Sequence, residues 1–129
     1  TIDLRHPDEE ILEAMERKLY EGIKEIAAGS ALEAEAERIF SYAPIHFDEE
    51  CIEIVRKVTQ QLGYSHRDMI SGAGHDACYL SRVAPTSMIF IPCVGGISHN
   101  EIEDAKPEWV TAGANVLLGA VLAKAGGAA

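Results

Sequence analysis

Ser87-Met88-Ile89-Phe90-Ile91-Pro92-Cys93-Val94 decides the class of this fold. It is an apolar run bounded by Pro85 and Gly95, which predicts a strand buried on both faces. Such a strand lies in a sheet with helices over it, and the neighbouring pattern supplies them. Downstream, Pro107 opens a helix whose buried side is Trp109, Val110, Val116, Leu117, Ala120 and Val121; the Ala/Gly tail after Lys124 is expected to fray. Upstream, Asp48 caps a helix with the stripe Cys51, Ile52, Val55, Val58 and Leu62, ended by Gly63. Between them come a short strand at Asp68-Met69-Ile70, a tight loop and a short helix over His75–Val83.

The first forty residues read as a smaller unit. Thr1–Arg5 alternates as a half-buried strand, and Pro7 suits the first turn of a helix with Asp8, Glu9 and Glu10 at its positive end. Ile11, Leu12, Met15, Leu19, Ile23 and Ile26 recur at helical spacing, and Gly29-Ser30 stops the helix. Leu32 to Phe40 alternates like a strand with a charged outer face, although its Ala and Glu residues also suit a helix. The prediction is therefore α/β, with a boundary near Tyr42-Ala43-Pro44. A strand–helix–strand unit of this size buries too little apolar surface to stand alone comfortably and needs a partner sheet.

Composition limits the function. The 129 residues are 47% hydrophobic and 25% charged, which excludes a disordered tail, a collagen-like chain and a coiled coil. Eleven basic against 21 acidic residues give a net charge of −10, a field that repels phosphate backbones and anionic lipid. Nucleic acid and membrane are not the expected partners, and no stretch approaches the roughly 18 apolar residues of a membrane span. Three cysteines without paired spacing predict free, buried thiols in a reducing, cytoplasmic setting. Thr1 opens directly into a strand-like run, so an upstream portion is expected to be missing.

Three places could carry chemistry. In Ser71-Gly72-Ala73-Gly74-His75-Asp76-Ala77, the glycines permit unusual backbone angles and close approach of a ligand, and the helix that follows would offer free N–H groups. The same stretch also reads as a glycine turn capping a helix, with His75 on the surface. In Gly95-Gly96-Ile97-Ser98-His99-Asn100, the histidine follows the buried strand, where ligand crevices open in α/β sheets. A neutral imidazole there suits zinc, manganese or nickel, but a catalytic metal takes about three protein ligands, and a loop histidine satisfied by backbone fits equally. Arg5 offers a guanidinium fork for a carboxylate, or else a surface ion pair with Asp3. The acidic runs, including Glu101-Ile102-Glu103-Asp104, look like solvated helix starts.

Together these motifs resemble the hydantoinase/carbamoylase amidases. Thr1-Ile2-Asp3-Leu4-Arg5-His6-Pro7, the Ser71–Ala77 loop, Pro85-Thr86-Ser87-Met88-Ile89-Phe90-Ile91-Pro92 and Gly95–Asn100 occur in that family's order, in its C-terminal part, and the resemblance runs to about Leu122. That group includes N-carbamoyl-L-amino-acid amidohydrolases, allantoate amidohydrolases and β-ureidopropionases, within the larger superfamily of two-metal aminopeptidases and carboxypeptidases.

The resemblance implies a role for each residue. His99 matches the last metal ligand. Gly74 and His75 match substrate contacts by main chain and imidazole, His75 in a catalytic role. Arg5 matches the lid arginine that holds the substrate carboxylate. The implied cofactors are two divalent metal ions per complete site, of zinc, manganese, cobalt or nickel. The implied substrate is a small carbamoyl or ureido carboxylate, and the implied assembly is a homodimer through the lid.

On that view residues 1–43 are the second half of an α+β lid and 44–129 the end of an α/β catalytic domain. The family's other ligands, two histidines, an aspartate and a glutamate, and its glutamate base have no counterpart here. The chain should therefore be an inactive C-terminal segment by itself. A peptidase of the same superfamily, or a non-catalytic dimerisation or regulatory fragment, are the competing readings.

Overall fold

A computed structural model describes residues 1–126. Its elements are α1 (Glu9–Ala28), α2 (Glu49–Gln61), the short α3 (Ala77–Leu80), a 3-10 turn at Val94–Gly96 and α4 (Pro107–Lys124). The last three residues of the Ala/Gly tail, 127–129, lie outside the described residues. The chain divides into two compact units: Thr1–His46 with Ile70–Gly74, and Phe47–Met69 with the chain from His75 onward.

In the first unit, Asp8 rather than Pro7 begins α1. Its carboxylate accepts the Ile11 N–H at 3.1 Å, so Pro7 stands just outside the helix. Leu12, Met15, Leu19 and Ile23 form the half-buried stripe, whereas Ile11 and Ile26 are exposed, which narrows the expected apolar face. Gly29 ends the helix. The chain then runs extended, tied to α1 by Arg38, whose Nε donates to Glu16 Oε1 at 2.6 Å. The Phe40 and Tyr42 rings meet edge-on at 5.4 Å.

The second unit is built on α2 and α4. Asp48 caps α2 by accepting the Cys51 N–H at 2.8 Å, and Gly63, at φ 73°, follows its end in the left-handed conformation. Lys124 at the end of α4 pairs with Glu50 at the start of α2 at 2.8 Å, so the helices run antiparallel. Their contact is tight because α4 presents glycines. A Cβ on Gly119 would lie 2.5 Å from Val58 Cγ1 of α2, and Gly113 likewise admits the extended segment, since a Cβ there would lie 2.6 Å from Ile91 Cγ2. Val58 and Val116, 8% and 4% exposed, are the buried apolar core among the described residues.

Four segments expected as strands, 1–5, 32–40, 68–70 and 87–94, form no ladder, and no strand occurs among the described residues. The physical reason is pairing. An extended segment becomes a strand only when a neighbour takes its N–H and C=O groups in a continuous ladder, and among the described residues these segments find none, the single bond from Val94 N–H to the Asp104 carbonyl not making one. Ser87 to Cys93 also departs from burial on both faces. Ser87, Ile89 and Ile91 face an apolar groove of about 560 Å³ lined by Cys51, Ile54, Val55 and Leu117, while Phe90 and Val94 are exposed. Val110, Leu117 and Val121 line this open groove instead of being buried in a core. The α/β expectation thus meets a helical pair with an unpaired extended segment. None of the described helices is long and apolar enough to cross a membrane.

Candidate active site

In the first unit the extended segment Thr1–Arg5 delivers Arg5 to the Ser71–Gly74 loop. Arg5 Nη1 donates to the Gly72 carbonyl. Its Nε bridges the two Asp3 oxygens at 3.1 and 3.0 Å, and Nη2 donates to Asp3 as well. The hydrogen bonds from Arg5 hold the Asp3 carboxyl below the usual carboxylate range, and Asp3 in turn raises the guanidinium. Three of the five guanidinium N–H groups are thereby used, leaving one on each terminal nitrogen. Each can still donate to an acceptor such as a carboxylate. The ion pair with Asp3 and a carboxylate-receiving edge, alternatives from sequence, are therefore compatible.

The unusual backbone angles expected of the loop glycines are not adopted. Neither Gly72 nor Gly74 has a positive φ. The space around them is ordinary: a Cβ on Gly74 would stand 3.4 Å from the Tyr42 hydroxyl and one on Gly72 3.9 Å from Arg5 Cδ, both van der Waals distances. The loop is set by its own serine, with Ser71 Oγ accepting the Ala73 N–H at 3.2 Å. Tyr42 was missed from sequence because nothing in its spacing ties it to a loop thirty residues on.

In the second unit His75 precedes α3 and meets the Phe90 ring edge-on at 5.4 Å, which orients the imidazole. The helix after it spans four residues rather than reaching Val83. Two of its first amides are already taken: Cys78 N–H donates to the His75 carbonyl at 2.9 Å, and Tyr79 N–H to the Asp76 carbonyl at 2.9 Å.

His99 follows the 3-10 turn in a loop shaped by Gly95 and Gly96 at φ 64° and 71°. His99 itself has φ 55°, the left-handed conformation that only a few residue types adopt readily. Its N–H donates to Glu103 Oε2 at 2.8 Å, and it is exposed. The acidic pattern places Glu103 in a solvated helix start, whereas in the structure its carboxylate closes this loop. The three cysteines are free and half-buried. Burial raises the Cys93 thiol first and the Glu103 charge adds to it, so Cys93 is a protonated donor to Glu103 Oε1 at 3.7 Å. No group of three or more His, Cys, Asp and Glu side chains able to hold a metal occurs among the described residues.

A model of peptidase family M20/M25/M40 matches residues 5–123. The chain belongs to this family. Within it, the chain is 45% identical over 122 residues to an N-carbamoyl-L-amino-acid amidohydrolase of Rhizobium meliloti, covering 95% of this chain and 29% of that protein. It is 31% identical over 103 residues to an allantoate amidohydrolase of Bacillus subtilis, covering 80% of this chain and 25% of that one. A crystal structure of a hydantoinase/carbamoylase family amidase from Burkholderia multivorans superimposes with a TM-score of 0.91 at 58% identity, over 94% of this chain and 29% of that chain. The M20 segment here thus spans less than a third of the length of the relatives it matches.

Proposed function

We propose that this chain is part of a metal-dependent amidohydrolase that cleaves a linear C–N bond in an N-carbamoyl amino acid or ureido carboxylate. The observation that carries this reading is Arg5. It is anchored on Asp3 and on the Gly72 carbonyl, with one N–H left on each terminal nitrogen. A substrate carboxylate bound on that edge is fixed in register. Gly74, without a side chain, lets a substrate come close to the main chain. His75, oriented by Phe90, donates a hydrogen bond to the substrate oxygen that gains charge in the reaction.

His99 supplies one imidazole toward the two divalent metals that the resemblance implies. The described residues do not complete such a site, since they hold no cluster of three donors. The remaining ligands and the base belong, in this reading, to further polypeptide of the same enzyme. The same polypeptide pairs with Ser87–Cys93 and completes an α/β domain. Residues 1–43 then form the second half of a lid that also makes the homodimer, and 44–129 the end of the catalytic domain. Three free thiols fit a cytoplasmic enzyme.

The rival reading is a peptidase of the same family. Hydrolysis of N-carbamoyl-L-amino acids and of dipeptides by the whole enzyme, measured side by side, decides between them. Higher kcat/KM on the carbamoyl compounds supports the amidohydrolase; preference for dipeptides overturns it.

A further inference from the structure

The loop that carries His99 is closed from both sides by one side chain. At its base, Val94 N–H donates to the Asp104 carbonyl at 2.7 Å. At its tip, Glu103 Oε2 accepts the His99 N–H at 2.8 Å, while Glu103 Oε1 accepts from the Cys93 thiol at 3.7 Å. The backbone of the same residue contributes too, because Glu103 N–H donates to the Asn100 carbonyl at 2.9 Å. Asn100 Oδ1 takes the Ile102 N–H at 3.1 Å, which fixes the turn between them.

A single carboxylate therefore spans the chain entering the loop and the residue at its tip. The need for it is visible in the backbone. Gly95 and Gly96 adopt left-handed angles at no steric cost, but His99 at φ 55° has a Cβ and must be held there. Relaxing His99 to a negative φ turns its imidazole away from its present direction.

We propose that Glu103 is the positioning residue of His99: its carboxylate holds the His99 backbone left-handed and so aims the imidazole. This inference rests on the reading of His99 as a site residue. Glu103 does not touch substrate; it acts through the loop. An aspartate, one methylene shorter, cannot reach both Cys93 and His99. A glutamine keeps an oxygen for the His99 N–H and is the conservative replacement.

The test uses the whole enzyme with N-carbamoyl-L-alanine as substrate, in the variants Glu103→Ala, Glu103→Gln and His99→Ala. Glu103→Ala should lower kcat about tenfold or more, the order seen when a group orienting a site histidine is lost, with KM changed less than about twofold. Glu103→Gln should stay within about threefold of the parent, because it rescues the acceptor. Hydrogen exchange of the His99 amide should speed up in Glu103→Ala and not in Glu103→Gln. This readout does not depend on activity. If His99→Ala abolishes turnover while Glu103→Ala leaves kcat and His99 exchange unchanged, the role of Glu103 is overturned and His99 stands. Equal losses in the Ala and Gln variants overturn it as well. Full activity in His99→Ala overturns the reading of His99 and this inference with it.

Discussion

Gly119 and Gly22 are both glycines inside helices, and alanine at the two positions should act with opposite sign. Gly22 sits in α1 with nothing within 4 Å of where an alanine methyl group would stand, so Gly22→Ala adds helix propensity and costs no packing. The expected gain is about 0.5–1 kcal/mol. At Gly119 the same propensity gain is available, but the new methyl would stand 2.5 Å from Val58 Cγ1 and 3.5 Å from Cγ2. Val58 is 8% exposed and β-branched, so it has no second rotamer to retreat into within α2.

The helices must therefore move apart, an overpacking cost of about 1–3 kcal/mol. After the propensity gain, a net loss of about 1 kcal/mol remains, which corresponds to roughly fivefold faster opening. Hydrogen exchange followed by mass spectrometry reads each helix separately. In Gly119→Ala, amides of α2 and α4 should exchange about fivefold faster, and in Gly22→Ala those of α1 should exchange more slowly. Slower exchange in α4 of Gly119→Ala would refute the close packing of Gly119 on Val58.

His99→Ala in the whole enzyme should lower bound divalent metal and nearly abolish hydrolysis; full metal content by elemental analysis removes His99 from the ligand set. Residues 1–129 alone should bind zinc or manganese weakly in a calorimetric titration, because one imidazole gives little affinity. Expressed alone, the same residues should self-associate through their exposed apolar faces, and a clean monomer in sedimentation would contradict this. The Asp48 carboxyl lies below its ordinary pKa because it accepts backbone N–H bonds, so the stability it lends α2 is present above about pH 4 and lost as pH falls through its lower folded value. Protection of the first turn of α2, taken relative to the intrinsic exchange rate at each pH, should fall over that range and lose this dependence in Asp48→Asn.

Helices were legible where the information is local. Asp48 and Gly63 bracket α2, and Gly29 and Pro107 punctuate α1 and α4, because caps and breakers act on their own turn. The extended segments were legible only as patterns. Ile89 and Ile91 alternate as a strand should, but the partner that turns them into one is not encoded in their spacing. The Ser71–Gly74 loop was legible from its glycines, although neither adopts the unusual angles that the pattern suggests, and a Cβ on either would meet Tyr42 or Arg5 only at van der Waals distance. Glu103 was misread because the left-handed turn at a histidine, which creates its role, leaves no mark in residue type.

In the proposed function a substrate carboxylate binds the terminal nitrogens of Arg5, beside the Asp3 ion pair. This binding is tested most directly by comparing Arg5→Lys with the parent enzyme on two substrates, N-carbamoyl-L-alanine and its carboxamide. An ammonium cannot reproduce the two hydrogen bonds, so KM for the carboxylate should rise about tenfold or more, while KM for the carboxamide should change little. An equal change on both substrates, or none on either, would contradict the account.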